Sequence, residues 1–216
     1  MAYAGQKEKK KDTLLNVAEQ LMMRKGPEET SFQEIAEEAK VTRQTVVNYF
    51  GTKEKLYTAL LEKDHDYNSE QIDNFCSCEA YQKKNGYEQI ESLFLEDLYR
   101  TKDSGDNTIL INRIKLALGN SYKRLERMKD ISCVWQRLRL IKKSIDKGHR
   151  DGSIRSDVKL SDDELEACIC TTQGIRLFLA QQLMLMDEDM KGQEDKMIET
   201  YVDQTTKYIR TMFNRK

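Results

Sequence analysis

The sequence predicts an all-α protein: an N-terminal head of three short helices in helix-turn-helix outline, followed by a larger helical part. Three observations carry this expectation. Apolar residues recur at helical spacing along the chain, with no competing β alternation. Helix-opening boxes, Ser31 with Glu34 and Ser161 with Glu164, stand directly before apolar runs. The 216 residues contain a single proline, Pro27, so little interrupts helical segments.

The first helix carries Leu14, Val17, Ala18, Leu21 and Met22 on one face, and Gly26-Pro27 stops it. Ser31 and Glu34 open a second helix with an inward stripe of Phe32, Ile35, Ala36 and Ala39. A tight turn at Ala39-Lys40-Val41 leads to Thr42, the expected N-cap of a short third helix that Gly51 ends. Thr52 caps a fourth, whose Leu56, Tyr57, Leu60 and Leu61 continue the apolar face. Beyond about residue 66 the pattern lengthens, with spans expected near 86–101, 107–128, 131–147, 161–187 and 192–214. Asp151-Gly152 marks the turn before the last two. The early lysines Lys7, Lys9, Lys10 and Lys11 are expected to keep a disordered tail in solution, the alternative being a flexible arm that reaches an adjacent groove or phosphate.

Composition limits the functions available. A formal net charge of -1 rules out a generally basic coat, so a nucleic-acid partner must be met by a local patch. The start has no apolar signal core, and no stretch approaches the roughly 18 apolar residues of a membrane span, which points to a cytoplasmic protein with no membrane partner. Catalysis is a poor reading, because the only histidines are His65 and His149 and no glycine-rich phosphate loop is present; no catalytic residue, cofactor or metal is expected. Cys76, Cys78, Cys133, Cys168 and Cys170 form no C-x-x-C pair and are expected to be reduced thiols. A thiol or metal sensor remains a rival, although helical residues two apart point about 200° away from each other.

The third helix has the parts of a base-reading element. A helix of about two turns fits the major groove of DNA, where its N-terminal side chains meet base edges. Arg43 matches guanine, Gln44 matches adenine, and an exposed Val47 can touch a thymine methyl. Thr42, Thr45 and Asn48 share its outward side, Tyr49 can present its hydroxyl to a phosphate, and Lys53 stands at the start of the next helix. Ser31 and Gln33, opening the second helix, complete the candidate DNA contacts.

The stretch SFQEIAEEAKVTRQTVVNYFGTKEKL resembles the DNA-binding head of TetR/AcrR-family transcriptional regulators: Ile35-Ala36, Val41, Phe50 and Lys53-Glu54 match in order and spacing. The resemblance spans residues 12–61, and downstream only GHRDGSIRSD resembles the family. Two departures stand out, Val47 where the family commonly has Tyr and Lys40 where it favours Gly; a Lys at positive φ costs on the order of 1 kcal/mol.

The resemblance implies residues 1–53 as a DNA-binding domain and 54–216 as a helical ligand-binding and dimerisation domain. It implies a regulator, a repressor in this reading, that binds a pseudo-palindromic double-stranded operator as a homodimer and is released by a small-molecule effector. The residues agree on the dimer. The segment 161–187 is apolar on two sides, Leu165, Ile169, Thr172, Leu179 and Leu183 against Cys170, Leu177, Phe178, Met184 and Leu185. Gly174 permits close approach, and the helix near 192–214 holds one apolar stripe. Candidate lining for an effector pocket is Phe94, Tyr99, Ile114, Tyr122, Met128, Trp135 and Phe178. A constitutive DNA-binding dimer without ligand control is the other alternative.

Overall fold

The computed structural model describes residues 2–119, 133–187, 189 and 192–213, and everything ordered among them is helix or turn. In chain order the helices are α1 (Ala2–Lys25), α2 (Phe32–Glu38), α3 (Arg43–Phe50), α4 (Lys53–Ser77), α5 (Glu79–Gln82), α6 (Gly86–Leu118), α7 (Cys133–Asp151), α8 (Asp162–Met184) and α9 (Glu194–Phe213). No helix among the described residues is long and apolar enough to cross a membrane.

The chain divides into two compact units, Met1–Tyr67 with Ile109–Ile131, and Asn68–Thr108 with Ser132–Lys216. The divisions fall inside α4 and α6.

The first unit closes around Leu14, Ala18, Met22, Ile35, Val46, Phe50, Leu56 and Leu61, all nearly inaccessible. These are the inward positions expected of α1 to α4, joined by Leu110, Ile111, Ile114 and Leu118 from the end of α6. Backbone groups between α1 and α2 are also tied down. The Tyr57 hydroxyl donates to the Pro27 carbonyl at 2.7 Å, and Thr30 Oγ1 donates to the Gly26 carbonyl at 2.8 Å.

The second unit packs α6, α7, α8 and α9 around Tyr87, Ile90, Leu93, Ile141, Leu165, Ile169, Ile209 and Phe213. Gly86 lets α6 begin against α7, since a Cβ there would collide with the backbone of Gly148 and Ser144. The box predicted at Ser161 and Glu164 forms: the Glu164 N–H donates to Ser161 Oγ at 3.3 Å, and the Ser161 N–H donates to the Glu164 carboxylate at 2.8 Å. These bonds satisfy donors that the start of α8 would otherwise leave without partners.

Two sequence expectations need correction. The spans near 86–101 and 107–128 are not separate through residue 118: α6 runs unbroken across Asp103-Ser104-Gly105-Asp106. The cost of a mid-helix Gly, about 1 kcal/mol, is outweighed by burial on either side of it, of Leu98 in the second unit and of Leu110 and Ile111 in the first. The early lysines are not a disordered tail either, because α1 starts at Ala2 and carries them in helix.

Candidate nucleic-acid interface

The α2–turn–α3 segment is locked by backbone chemistry. In α2, Ser31 Oγ accepts the Glu34 N–H at 3.3 Å and the Glu34 carboxylate accepts the Ser31 N–H at 2.9 Å. Lys25 also reaches that carboxylate, and with the Ser31 bonds it holds the Glu34 carboxyl down at about 2. The exit from α2 is a Schellman turn: the Val41 N–H donates to the Ala36 carbonyl at 2.8 Å and the Lys40 N–H to the Glu37 carbonyl at 3.1 Å. Lys40 takes φ 53, the only positive φ of a non-glycine residue among the described ones. Thr42 then caps α3, its Oγ1 accepting the Thr45 N–H at 3.2 Å.

With Val46 and Phe50 buried at 0% and 3% exposure, the rotation of α3 is fixed and its other face looks outward. Arg43, Gln44 and Asn48 are exposed there, with Thr42 at the edge and Thr45 half-buried. Gln44 Nε2 donates to Asn48 Oδ1 at 2.9 Å, one turn apart, so the two amides are pre-aligned along the helix. Arg43 has no hydrogen-bond or ion-pair partner among the described residues, which leaves its guanidinium fork available to a base edge or phosphate. Val47 is half-buried rather than exposed, because it follows Val46 toward the core; part of its surface still faces out. Tyr49 is half-buried against the core with its ring 6.4 Å from that of Phe50.

Three further predicted contacts are engaged within the head. Ser31 Oγ donates to the Glu34 carboxylate at 2.8 Å, Gln33 Nε2 donates to Glu37 Oε1 at 2.7 Å, and Lys53 Nζ donates to the Glu28 carbonyl at 2.7 Å. Each would exchange or share its partner on meeting a phosphate. Lys9 and Lys10, from the basic run weighed as a phosphate-reaching arm, border a groove of about 290 Å³ beside the α2–α3 turn with Gln6, Thr13, Ala39 and Val41. Lys10 and Gln6 continue the Leu14 face of α1 at four-residue intervals.

Residues 14–60 match the family described as bacterial regulatory proteins, tetR family. The head is that of the TetR family. The chain is similar in fold to the fatty acid degradation regulator FadR from Bacillus halodurans (TM-score 0.68, 14% identity, 96% of this chain and 97% of that one). It is also similar to AibR solved with isovaleryl coenzyme A and operator DNA (TM-score 0.63, 17% identity, 96% and 100%). FadR from Bacillus subtilis in complex with stearoyl-CoA is a third (TM-score 0.59, 16% identity, 88% and 96%). At these identities the likeness is one of fold. No curated protein matches the chain in sequence.

The predicted pocket lining is divided between the two units. Ile114 is buried in the core of the first unit, whereas Phe94 is buried in the second and Trp135 packs at the edge of that core. Tyr99 and Phe178 are about half exposed, at 55% and 50%. Tyr122 and Met128 lie outside the described residues. Spacing along the chain gave each an apolar face but not the unit that the face would enter.

A polar group inside the second unit was missed as well. Arg137, 5% exposed, donates from Nη1 to the Leu93 carbonyl at 2.8 Å and from Nη2 to Asp97 Oδ1 at 2.6 Å. Its Nε is buried without a hydrogen-bond partner among the described residues. Burial pushes the nearby Glu96 carboxyl up, against the pull of Arg100. Forty residues separate Asp97 from Arg137, so no local pattern announces the pair.

The thiols are placed separately. Cys76 and Cys168 are buried, and burial pushes both thiols up, while Cys78 and Cys170 are exposed. Cys78 is the N-cap of α5, its sulfur accepting the Tyr81 N–H at 3.4 Å. The described residues hold no group of three or more His, Cys, Asp or Glu positioned for a metal ion.

Proposed function

We propose that the chain is a repressor that binds a pseudo-palindromic DNA operator as a homodimer and is released by a small-molecule effector. The observation that carries the DNA half is the outward face of α3, with unpaired Arg43 beside the aligned Gln44–Asn48 pair on a helix whose rotation the core fixes. Residues 1–53 are the reading head in this account, and 54–216 bind effector and partner copy. The protein works in the cytoplasm, where the DNA is.

The dimer is supported by the side of α8 that its own unit leaves uncovered. Leu165, Ile169 and Leu179 point inward and are fully buried, yet Phe178 and Met184 on the same helix and Leu185 at its C-cap are 50%, 62% and 74% exposed. A Cβ at Gly174 would meet nothing within 4 Å, so a facing helix could approach closely. Two-fold pairing there would give two heads and hence a symmetric site.

The effector half draws support from AibR, solved with isovaleryl coenzyme A and operator DNA, and from the Bacillus subtilis FadR, solved with stearoyl-CoA. Release requires that the effector bind one arrangement of the dimer more tightly than the other, with a coupling of about 1–3 kcal/mol.

A titration of the full chain with duplex DNA over roughly 50 to 200 mM salt tests the DNA half. Affinity should fall steeply with salt, and Lys9→Gln with Lys10→Gln should flatten that slope by about one per lysine. A wild-type affinity that does not respond to salt would contradict the reading.

A further inference from the structure

A cavity of about 410 Å³ opens in the second unit between the end of α4, the short α5 and one face of α7. Lys143, Lys147 and Arg150 stand along that face at four- and three-residue intervals, so all three line the cavity from the same side of α7. Stacking like charges this way costs an isolated helix a few tenths of a kcal/mol per pair, and the described residues offset it only in part. Lys147 Nζ donates to the Gln82 carbonyl at 3.1 Å and also to the Lys84 carbonyl. Lys143 and Arg150 have no hydrogen-bond or ion-pair partner among the described residues.

The one acidic residue lining the cavity, Asp73, accepts a hydrogen bond from Gln136 Nε2 at 2.8 Å. Asp151, which acts on Lys147 electrostatically, accepts the N–H groups of Gly86 at 2.9 Å and Ser153 at 3.0 Å. Three cations against one lining carboxylate leave the cavity positive. Its inner wall is mixed, polar at Tyr81, Ser144 and Gln89, which are 4%, 2% and 6% exposed, and apolar at Cys76 and Leu140.

We propose that this cavity is a receptor for a small phosphate-bearing molecule. Arg150 would supply a planar fork for two phosphate oxygens and Lys143 a mobile point charge. Lys147, already fixed by two carbonyls, would set the position of the anion at little ordering cost. The cavity volume falls within the roughly 300–1,000 Å³ of small-molecule sites, larger than a bare phosphate needs. The site lies wholly in the second unit and does not rest on the DNA-binding reading.

Calorimetric titration of the full chain with inorganic pyrophosphate, up to about 10 mM, tests the site. The comparison is between Lys143→Gln with Arg150→Gln and a charge-matched control on the same helix, Arg139→Gln with Lys142→Gln. Saturable binding at one pyrophosphate per chain, weakened about tenfold or more in the cavity variant and by less than about twofold in the control, is the expected result. No saturable binding by the wild type, or equal losses in the two variants, would overturn the proposal. So would undiminished binding by the cavity variant. Operator affinity is not a readout, so a failure here is separable from a failure of the proposed function.

Discussion

The Val41 backbone N–H reaches back 2.8 Å to the Ala36 carbonyl, and Lys40 between them sits at φ 53. That geometry turns the chain from α2 into α3 and sets the direction from which Arg43 and Gln44 are presented. It also places a side chain where the backbone prefers none. Lys40→Gly is therefore expected to stabilise the protein by about 1 kcal/mol. A rise in the urea midpoint with unchanged slope checks this; a fall would mean that the Lys40 side chain contributes a contact outweighing the backbone strain.

Tyr57 satisfies the Pro27 carbonyl from inside the first unit, and burial pushes its phenol up. Tyr57→Phe keeps the ring but leaves that acceptor without its donor. The expected loss is about 1–3 kcal/mol in chemical denaturation. A neutral result would show that water already serves the carbonyl.

Acid should loosen the head through Glu34. Its carboxyl titrates near 2 when folded, below the ordinary 4.5, because Lys25 and Ser31 bind the charged form. Between those values the unfolded chain binds more protons, so stability rises with pH across the window. The contribution is complete above about 4.5 and is lost as pH falls toward 2. Glu34→Gln should lower stability at neutral pH and flatten this part of the profile, as read by circular dichroism melts over the acid range. An unchanged profile would assign the acid response to other carboxylates.

The open side of α8 makes a further prediction. Gly174→Arg meets no atom of its own chain within 4 Å of the new Cβ and replaces a poor helix former, so the folded unit should tolerate it. In the dimer the same side chain would hold the facing helix away. Sedimentation at micromolar concentration should shift from dimer to monomer while helicity persists. A variant that remains dimeric would move the interface elsewhere.

How much of this was legible in the sequence depended on the range over which each interaction acts. Ser31, Thr42 and Ser161 were readable as caps because their partners lie three residues away. Val46 and Phe50 were readable because a helix repeats its face every turn, and the two-sided character of α8 showed for the same reason. What escaped depended on partners remote in the chain. Ile114 enters the core of the first unit, and Arg137 finds Asp97 on another helix. The run of α6 through Gly105 escaped because burial on either side overrode local propensity. In the candidate interface, the burial of Val47 and the engagement of Lys53 with Glu28 likewise required the packed head.

Selection of bound duplexes from random-sequence DNA, run with the wild type, Arg43→Ala and Gln44→Ala, asks whether the outward face of α3 reads a symmetric operator. The account predicts a two-fold symmetric motif with half-sites about one helical turn apart or a multiple of it. Each variant should bind about 1–3 kcal/mol more weakly and relax one position in each half-site. Enrichment of no motif, or of a single half-site indifferent to both substitutions, would contradict it.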